Sequence, residues 1–169
     1  LLDVIKSISK IDGIERIRTS SVEPLIITDE FLEEIIKIEK FCPHFHLSLQ
    51  SGCDTVLDRM NRRYTTKDYE IAVSKIREIY PNAAITTDVI VGFPGETYED
   101  FCATLNLIRK VEYDFLFTFI YSKRVGTKAA QMDDPVPADE KSKWFRELLA
   151  VQSEIGQKRC EKMIGTVQQ

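Results

Sequence analysis

Apolar residues recur along this chain with two different periods that alternate. Alternation of helical and strand patterns leaves few architectures open. Helical spacing appears at Phe31, Leu32, Ile35, Ile36 and Ile38 behind Thr28, and at Tyr69, Ala72, Val73, Ile76 and Ile79 behind Thr65 and Asp68. It returns at Phe101, Leu105 and Ile108 behind Thr97 and Asp100, then over Ala138 to Met163 with Trp144, Leu148, Val151 and Ile155 aligned. Residues 1–10 read as the end of another helix, closed by Asp12-Gly13. Between these lie β-rich runs at Ile14–Ser21, Phe45–Gln50, Ile85–Phe93 and Phe115–Tyr121. Strands joined by helical crossovers pair in parallel, with right-handed connections.

Strand faces then separate a doubly wound sheet from a barrel. In Phe45–Gln50 the apolar residues are Phe45, Leu47 and Leu49, while His46, Ser48 and Gln50 share the other face. In the next run Thr86 and Asp88 also share one face. A sheet covered by helices on both sides reads as near-continuous hydrophobics. A polar inner face predicts an α/β fold of the open or partial (β/α) barrel type, with a ligand inside. Phe115–Tyr121 is apolar on both faces and does not discriminate.

Composition excludes several classes. The 169 residues are 43% hydrophobic and 30% charged, an ordinary globular mixture of one domain's length. No apolar run approaches a membrane span and the N-terminus has no signal-peptide pattern, so the expectation is a cytoplasmic protein with no membrane partner. A net charge of −4 gives no electrostatic footprint for nucleic acid. Cys42, Cys53, Cys102 and Cys160 lie far apart, so no metal or cluster cradle is written locally and each reads as a buried or unremarkable thiol.

Candidate chemistry collects at the C-terminal ends of the strands, where α/β folds hold their sites. Thr19-Ser20-Ser21-Val22-Glu23-Pro24 places an acid just past a strand. Leu49-Gln50-Ser51-Gly52-Cys53-Asp54 ends a strand in a sharp turn. Asp88 leads into Gly92-Phe93-Pro94-Gly95-Glu96-Thr97, whose glycines permit close backbone approach. Taken singly, Glu23 is as readily a solvated turn residue, Gln50 and Asp88 loop caps, and the glycine run a turn; three such ends at one barrel mouth favour a site. Arg62 and Arg63 follow a short helix after Gln50, and Lys123 and Arg124 follow the last strand; guanidinium suits carboxylate, and a Lys-Arg pair suits phosphate. His44 and His46 share a strand face and, with no third ligand near, read as structural or hydrogen-bonding residues.

Four of these segments, in order and spacing, resemble the radical S-adenosylmethionine methylthiotransferases: Arg16 to Pro24, His46 to Gly52, Asp88 to Thr97, and Tyr121 to Thr127. Within that family Cys42 to Asp54 and Tyr121 to Arg124 look most like the branch acting on threonylcarbamoyladenosine at tRNA position 37, with the isopentenyladenosine and ribosomal-protein branches as close relatives. The resemblance implies a barrel whose first loop carries a CxxxCxxC motif for a four-iron, four-sulfur cluster, with S-adenosylmethionine across the strand ends and the tRNA anticodon loop as substrate. That motif and the first two strands are absent from this sequence, so it is expected to be the last four strands of a longer enzyme and inactive alone. Residues 1–163 would be the C-terminal part of the barrel domain and 164–169 the start of an RNA-binding β-domain. The resemblance assigns Glu23 to the methionine ammonium, Arg62 to its carboxylate, Gln50 and Asp88 to the ribose hydroxyls, Gly92 to adenosine approach, and Lys123 and Arg124 to substrate or tRNA phosphate. Other readings are a different radical S-adenosylmethionine enzyme, such as a porphyrinogen oxidase, or a non-catalytic nucleotide- or RNA-binding module. A barrel wall without its first strands is also expected to self-associate through exposed strand edges.

Overall fold

Two threonines set the frame of the helical layer. A computed structural model of the chain describes residues 1–167. In it Thr65 and Thr97 each cap a helix through a reciprocal pair of bonds, with the Asp three residues on answering the threonine. Asp100 N–H donates to Thr97 Oγ1 at 3.2 Å while Thr97 N–H donates to Asp100 at 3.0 Å. The helices in chain order are α1 (Leu2–Ser9), α2 (Asp29–Ile35), α3 (Asp54–Arg59), α4 (Thr66–Ile79), α5 (Tyr98–Val111) and α6 (Ala138–Met163). The expected helix after Thr28 stops at Ile35, and Ile36, read as part of its apolar face, is exposed as the C-cap. Residues 168 and 169, the end of the expected β-domain onset, lie outside the described residues.

The strands are β1 (His44–His46), β2 (Ala84–Val91) and β3 (Phe115–Ile120), all parallel in the order β1-β2-β3. The expected strand Ile14–Ser21 is not a strand. It runs beside the β1 segment and is bridged to it at two isolated points, Ile17 with Phe41 ahead of β1 and, one residue past the expected span, Val22 with Leu47 just after β1. Those contacts are five residues apart on one side and six on the other, so the register slips and a continuous ladder cannot form. β1 is likewise shorter than expected. Past His46 it loses one residue of register before Gln50 meets Val89. The Thr87 hydroxyl fills that bulge, accepting the Leu49 N–H at 2.9 Å and donating to the Leu47 carbonyl.

Among the described residues, helices cover one side of the sheet. Phe45, Leu47, Leu49, Ile85, Val89, Val91 and Leu116 all point into that side and are buried against Tyr69, Ile76, Phe101, Leu105 and Leu148. Trp144 of α6 stacks on Phe101 of α5 at 5.5 Å, which ties the C-terminal helix to the layer. The other side holds His44, His46, Thr86, Asp88, Ile90, Phe115, Phe117 and Phe119, and no helix among the described residues lies over it. This is the wall of a partial β/α barrel with its concave face open, as the polar strand parity predicts.

Candidate functional site

Asp88 is the centre of the concave face. It lines two cavities, one of about 550 Å³ over the N-terminal half of the strands and one of about 570 Å³ toward their C-terminal ends. The second is lined by Gln50, Asp88, Phe93, Phe119, Tyr121 and Arg124 among others. Gln50 sits at φ 69°, left-handed space that a non-glycine residue enters only when its surroundings hold it there. Here the hold is visible: Gln50 N–H donates to Asp88 O at 2.8 Å, and Ile90 N–H donates to Gln50 O at 2.9 Å. The bulge in β1 thus turns Gln50 at the strand end and keeps it beside Asp88.

Glu23 and Arg62 form a separate group. Glu23 is exposed at the start of the 3₁₀ turn Pro24–Ile26. Arg62 is half-buried, and its Nε is buried without a hydrogen-bond partner. Both act electrostatically on Tyr64, whose hydroxyl donates to Leu49 O at 3.2 Å. Burial pushes Tyr64 up to about 12, with Arg62 opposing and Glu23 adding to the rise. Both groups are therefore near Tyr64, which bonds the strand one residue before Gln50, although neither lines the two cavities.

Gly92 has φ 72°, and the space a Cβ would take there is filled by the Lys141 stem, 2.5 Å away. Lys141 is buried, its Nζ on Asp134 at 2.6 Å and 5.8 Å above the Tyr121 ring. Its contact seals the ends of β2 and β3 from behind. Glu96 closes the same turn, accepting Gly92 N–H at 2.5 Å and Phe93 N–H at 3.2 Å. Burial pushes Glu96 up to about 7, against those two donors. Lys123 is exposed; Arg124 is exposed at the rim of the second cavity. Sequence reasoning did not find Lys141, Asp134 or Glu96, because each acts through a contact across a turn or between layers. Nor did it supply partners for His44 and His46. Arg18, Thr86 and Asp88 are those partners.

Residues 1–108 match the Radical SAM superfamily model. The chain belongs to the radical SAM superfamily. Radical SAM relatives include the tRNA-2-methylthio-N(6)-dimethylallyladenosine synthase of Caldicellulosiruptor saccharolyticus, 48% identical over 164 residues, covering 97% of this chain and 35% of that protein. The protein of the same name from Clostridium botulinum strain Loch Maree is 45% identical over 167 residues, covering 99% and 37%. The chain thus spans little more than a third of the length of these relatives. Among solved radical SAM structures, coproporphyrinogen III oxidase from Escherichia coli has a TM-score of 0.69 at 24% identity, covering 83% of this chain and 32% of that one. The cobalamin-dependent radical enzyme OxsB has a TM-score of 0.53 at 12% identity, covering 93% and 20%. Both similarities speak for the fold alone.

The relatives correct one expectation. They are named for the dimethylallyl (isopentenyl) branch, and the threonylcarbamoyl branch has no support among them. The motifs used to choose a branch lie at strand ends expected to meet the cofactor all branches share, so they carry little information about the base. Superfamily membership implies S-adenosylmethionine and four-iron, four-sulfur clusters. The residues present fit the first: an orphaned guanidinium nitrogen on Arg62 stands near the Gln50 strand end, and Gln50 and Asp88 meet in one cavity. They do not fit a cluster. Among the described residues no three His, Cys, Asp or Glu side chains come close enough to hold a metal, and Cys53 faces Asp100 at 3.0 Å. No helix among the described residues is long and apolar enough to cross a membrane.

Proposed function

We propose that this chain is the C-terminal part of the barrel of a radical SAM tRNA methylthiotransferase, and that the parent adds a methylthio group to N6-dimethylallyladenosine in the tRNA anticodon loop. The 48% identity along nearly the whole chain to a synthase named for that product carries the reading. The porphyrinogen oxidase alternative has only a shared fold in its favour.

S-adenosylmethionine, when bound with a reducing cluster, supplies radical chemistry; this chain's residues bind and orient it. The Asp88 carboxylate accepts from ribose hydroxyls, and the Gln50 amide accepts from or donates to them. Arg62 holds a carboxylate through its unpartnered edge, and Glu23 holds an ammonium. Arg124, at the cavity rim, and Lys123 meet tRNA phosphates; such contacts position the RNA without reading its sequence.

The test uses the full-length parent, reconstituted anaerobically and given tRNA carrying either N6-dimethylallyladenosine or N6-threonylcarbamoyladenosine. Nucleoside mass spectrometry should find the methylthio product on the first only. Product on the second alone would overturn the branch, and tRNA binding with no product on either would favour a non-catalytic module. Asp88→Ala and Gln50→Ala should each weaken S-adenosylmethionine binding by about 1–3 kcal/mol in calorimetry, the cost of losing a buried polar partner. Unchanged binding in both would remove them from the site.

A further inference from the structure

The first cavity holds an unbroken row of polar side chains that the reading above does not use. Arg18 Nη2 lies 3.0 Å from His44 Nδ1 and 3.5 Å from its Nε2. His44 Nε2 lies 3.2 Å from Thr86 Oγ1. Thr86 Oγ1 lies 2.9 Å from His46 Nδ1, and His46 Nε2 lies 3.2 Å from Asp88 Oδ2. We propose that Arg18, His44, Thr86 and His46 are a one-way hydrogen-bond relay that positions Asp88, the four acting as positioning residues for cofactor binding.

The direction follows from donor arithmetic. An ionised Asp88 only accepts, so His46 Nε2 carries the proton between them. A neutral His46 then presents a bare Nδ1, which Thr86 must fill with its single hydroxyl proton. With that proton spent, Thr86 can only accept from His44, so His44 also carries its proton on Nε2. The bare Nδ1 of His44 finally accepts from Arg18, which has nothing but donors. With both rings neutral, one assignment satisfies the row through the shorter Arg18 contact, to His44 Nδ1 at 3.0 Å, and leaves the 3.5 Å contact to Nε2 without a hydrogen bond. A proton on His44 Nδ1 would set donor against the Arg18 donor, and a neutral His46 protonated on Nδ1 would turn its bare Nε2 toward the Asp88 carboxylate, acceptor against acceptor. Burial, Arg18 and His46 all push His44 below the ordinary histidine range, consistent with a neutral ring. Phe117 packs edge-on to His46 with 5.5 Å between ring centroids, and Thr86 is buried, so the row is braced.

The effect falls on Asp88. With Oδ2 held by His46 on the side of the first cavity, Oδ1 is the oxygen left to meet a ligand in the second. A carboxylate fixed beforehand loses less rotational freedom on binding.

The consequence for the cofactor rests on the proposed site, but the relay can be read without it. ¹⁵N-histidine-labelled full-length protein at pH 8 should show both rings as the Nε2–H tautomer, assigned with His44→Gln and His46→Gln. Thr86→Val, which keeps the shape and deletes the hydroxyl, should release the His44 tautomer to a mixture and weaken S-adenosylmethionine binding roughly three- to tenfold, the worth of about one hydrogen bond. Thr86→Ser should restore both. An Nδ1–H tautomer at His46 overturns the relay, and so does a Thr86→Val protein that binds as tightly as Thr86→Ser where Asp88→Ala binds weakly. If the tautomers are as expected but Asp88→Ala binds the cofactor normally, the relay stands and the cofactor site is what fails.

Discussion

Glu96 shows how one buried carboxyl can be at once necessary and costly. It is 2% exposed, and it accepts both backbone N–H groups that the Gly92 turn leaves open. Its ionised form would take those bonds best, yet desolvation outweighs them and pushes the group up to about 7, with Asp100 adding to the rise. The folded chain therefore keeps a proton that the unfolded chain releases near pH 4.5. Between those values the native state binds more protons than the unfolded state, so stability falls as pH rises through this window. The total is on the order of 3 kcal/mol. Denaturant unfolding followed from pH 4.5 to 8 should show the fall, and Glu96→Gln, which still accepts from Gly92, should flatten that part of the profile. An identical pH profile in the variant would place the titration elsewhere.

At the scale of elements, β1 is the informative case. Its residues alternate cleanly, yet the ladder extends only over His44–His46 before a bulge intervenes. Thr87 makes the bulge affordable by bonding the Leu49 amide and the Leu47 carbonyl in a fully buried place. Thr87→Val keeps the volume and leaves the Leu49 N–H without its partner. The expected loss is about 1–3 kcal/mol in urea unfolding, with weaker S-adenosylmethionine binding at the site proposed for Gln50, which the same bulge aims. A stability change below about 0.5 kcal/mol would mean that the strand relaxes to a straight ladder.

For the whole molecule, the open face decides behaviour in solution. Phe115, Phe117 and Phe119 are 53, 46 and 52% exposed in a row on β3, the terminal strand of the described sheet. Contiguous exposed aromatics on a strand edge invite pairing. The 169-residue chain by itself should run larger than a monomer in light scattering at high concentration, and Phe117→Lys should shift it toward monomer. A monomer in the unsubstituted chain would mean that this face is covered. The contact is expected at β3 rather than at Ile14–Ser21, since that segment is bridged to β1 at only two points and offers no straight ladder to extend.

The primary structure by itself determined what depends on near neighbours. Thr65 with Asp68 and Thr97 with Asp100 start helices where their spacing says they should, since a cap is satisfied within four residues. Strand parity likewise assigned His46, Gln50, Thr86 and Asp88 to one face, because side chains alternate whatever the partner. Register is different in kind. The slips at Val22–Leu47 and Gln50–Val89 arise between segments distant in the chain, and no local period encodes them. Those slips cut the ladders short and turn Gln50 toward Asp88, while the β1–β2 register gives His44 and His46 partners some forty residues away at Thr86 and Asp88. Lys141 against Gly92 is likewise a contact between layers, decided by how α6 lies on the sheet. Tertiary structure decided these because hydrogen bonds and close contacts across the sheet are won only once distant backbones have come together and settled on one register.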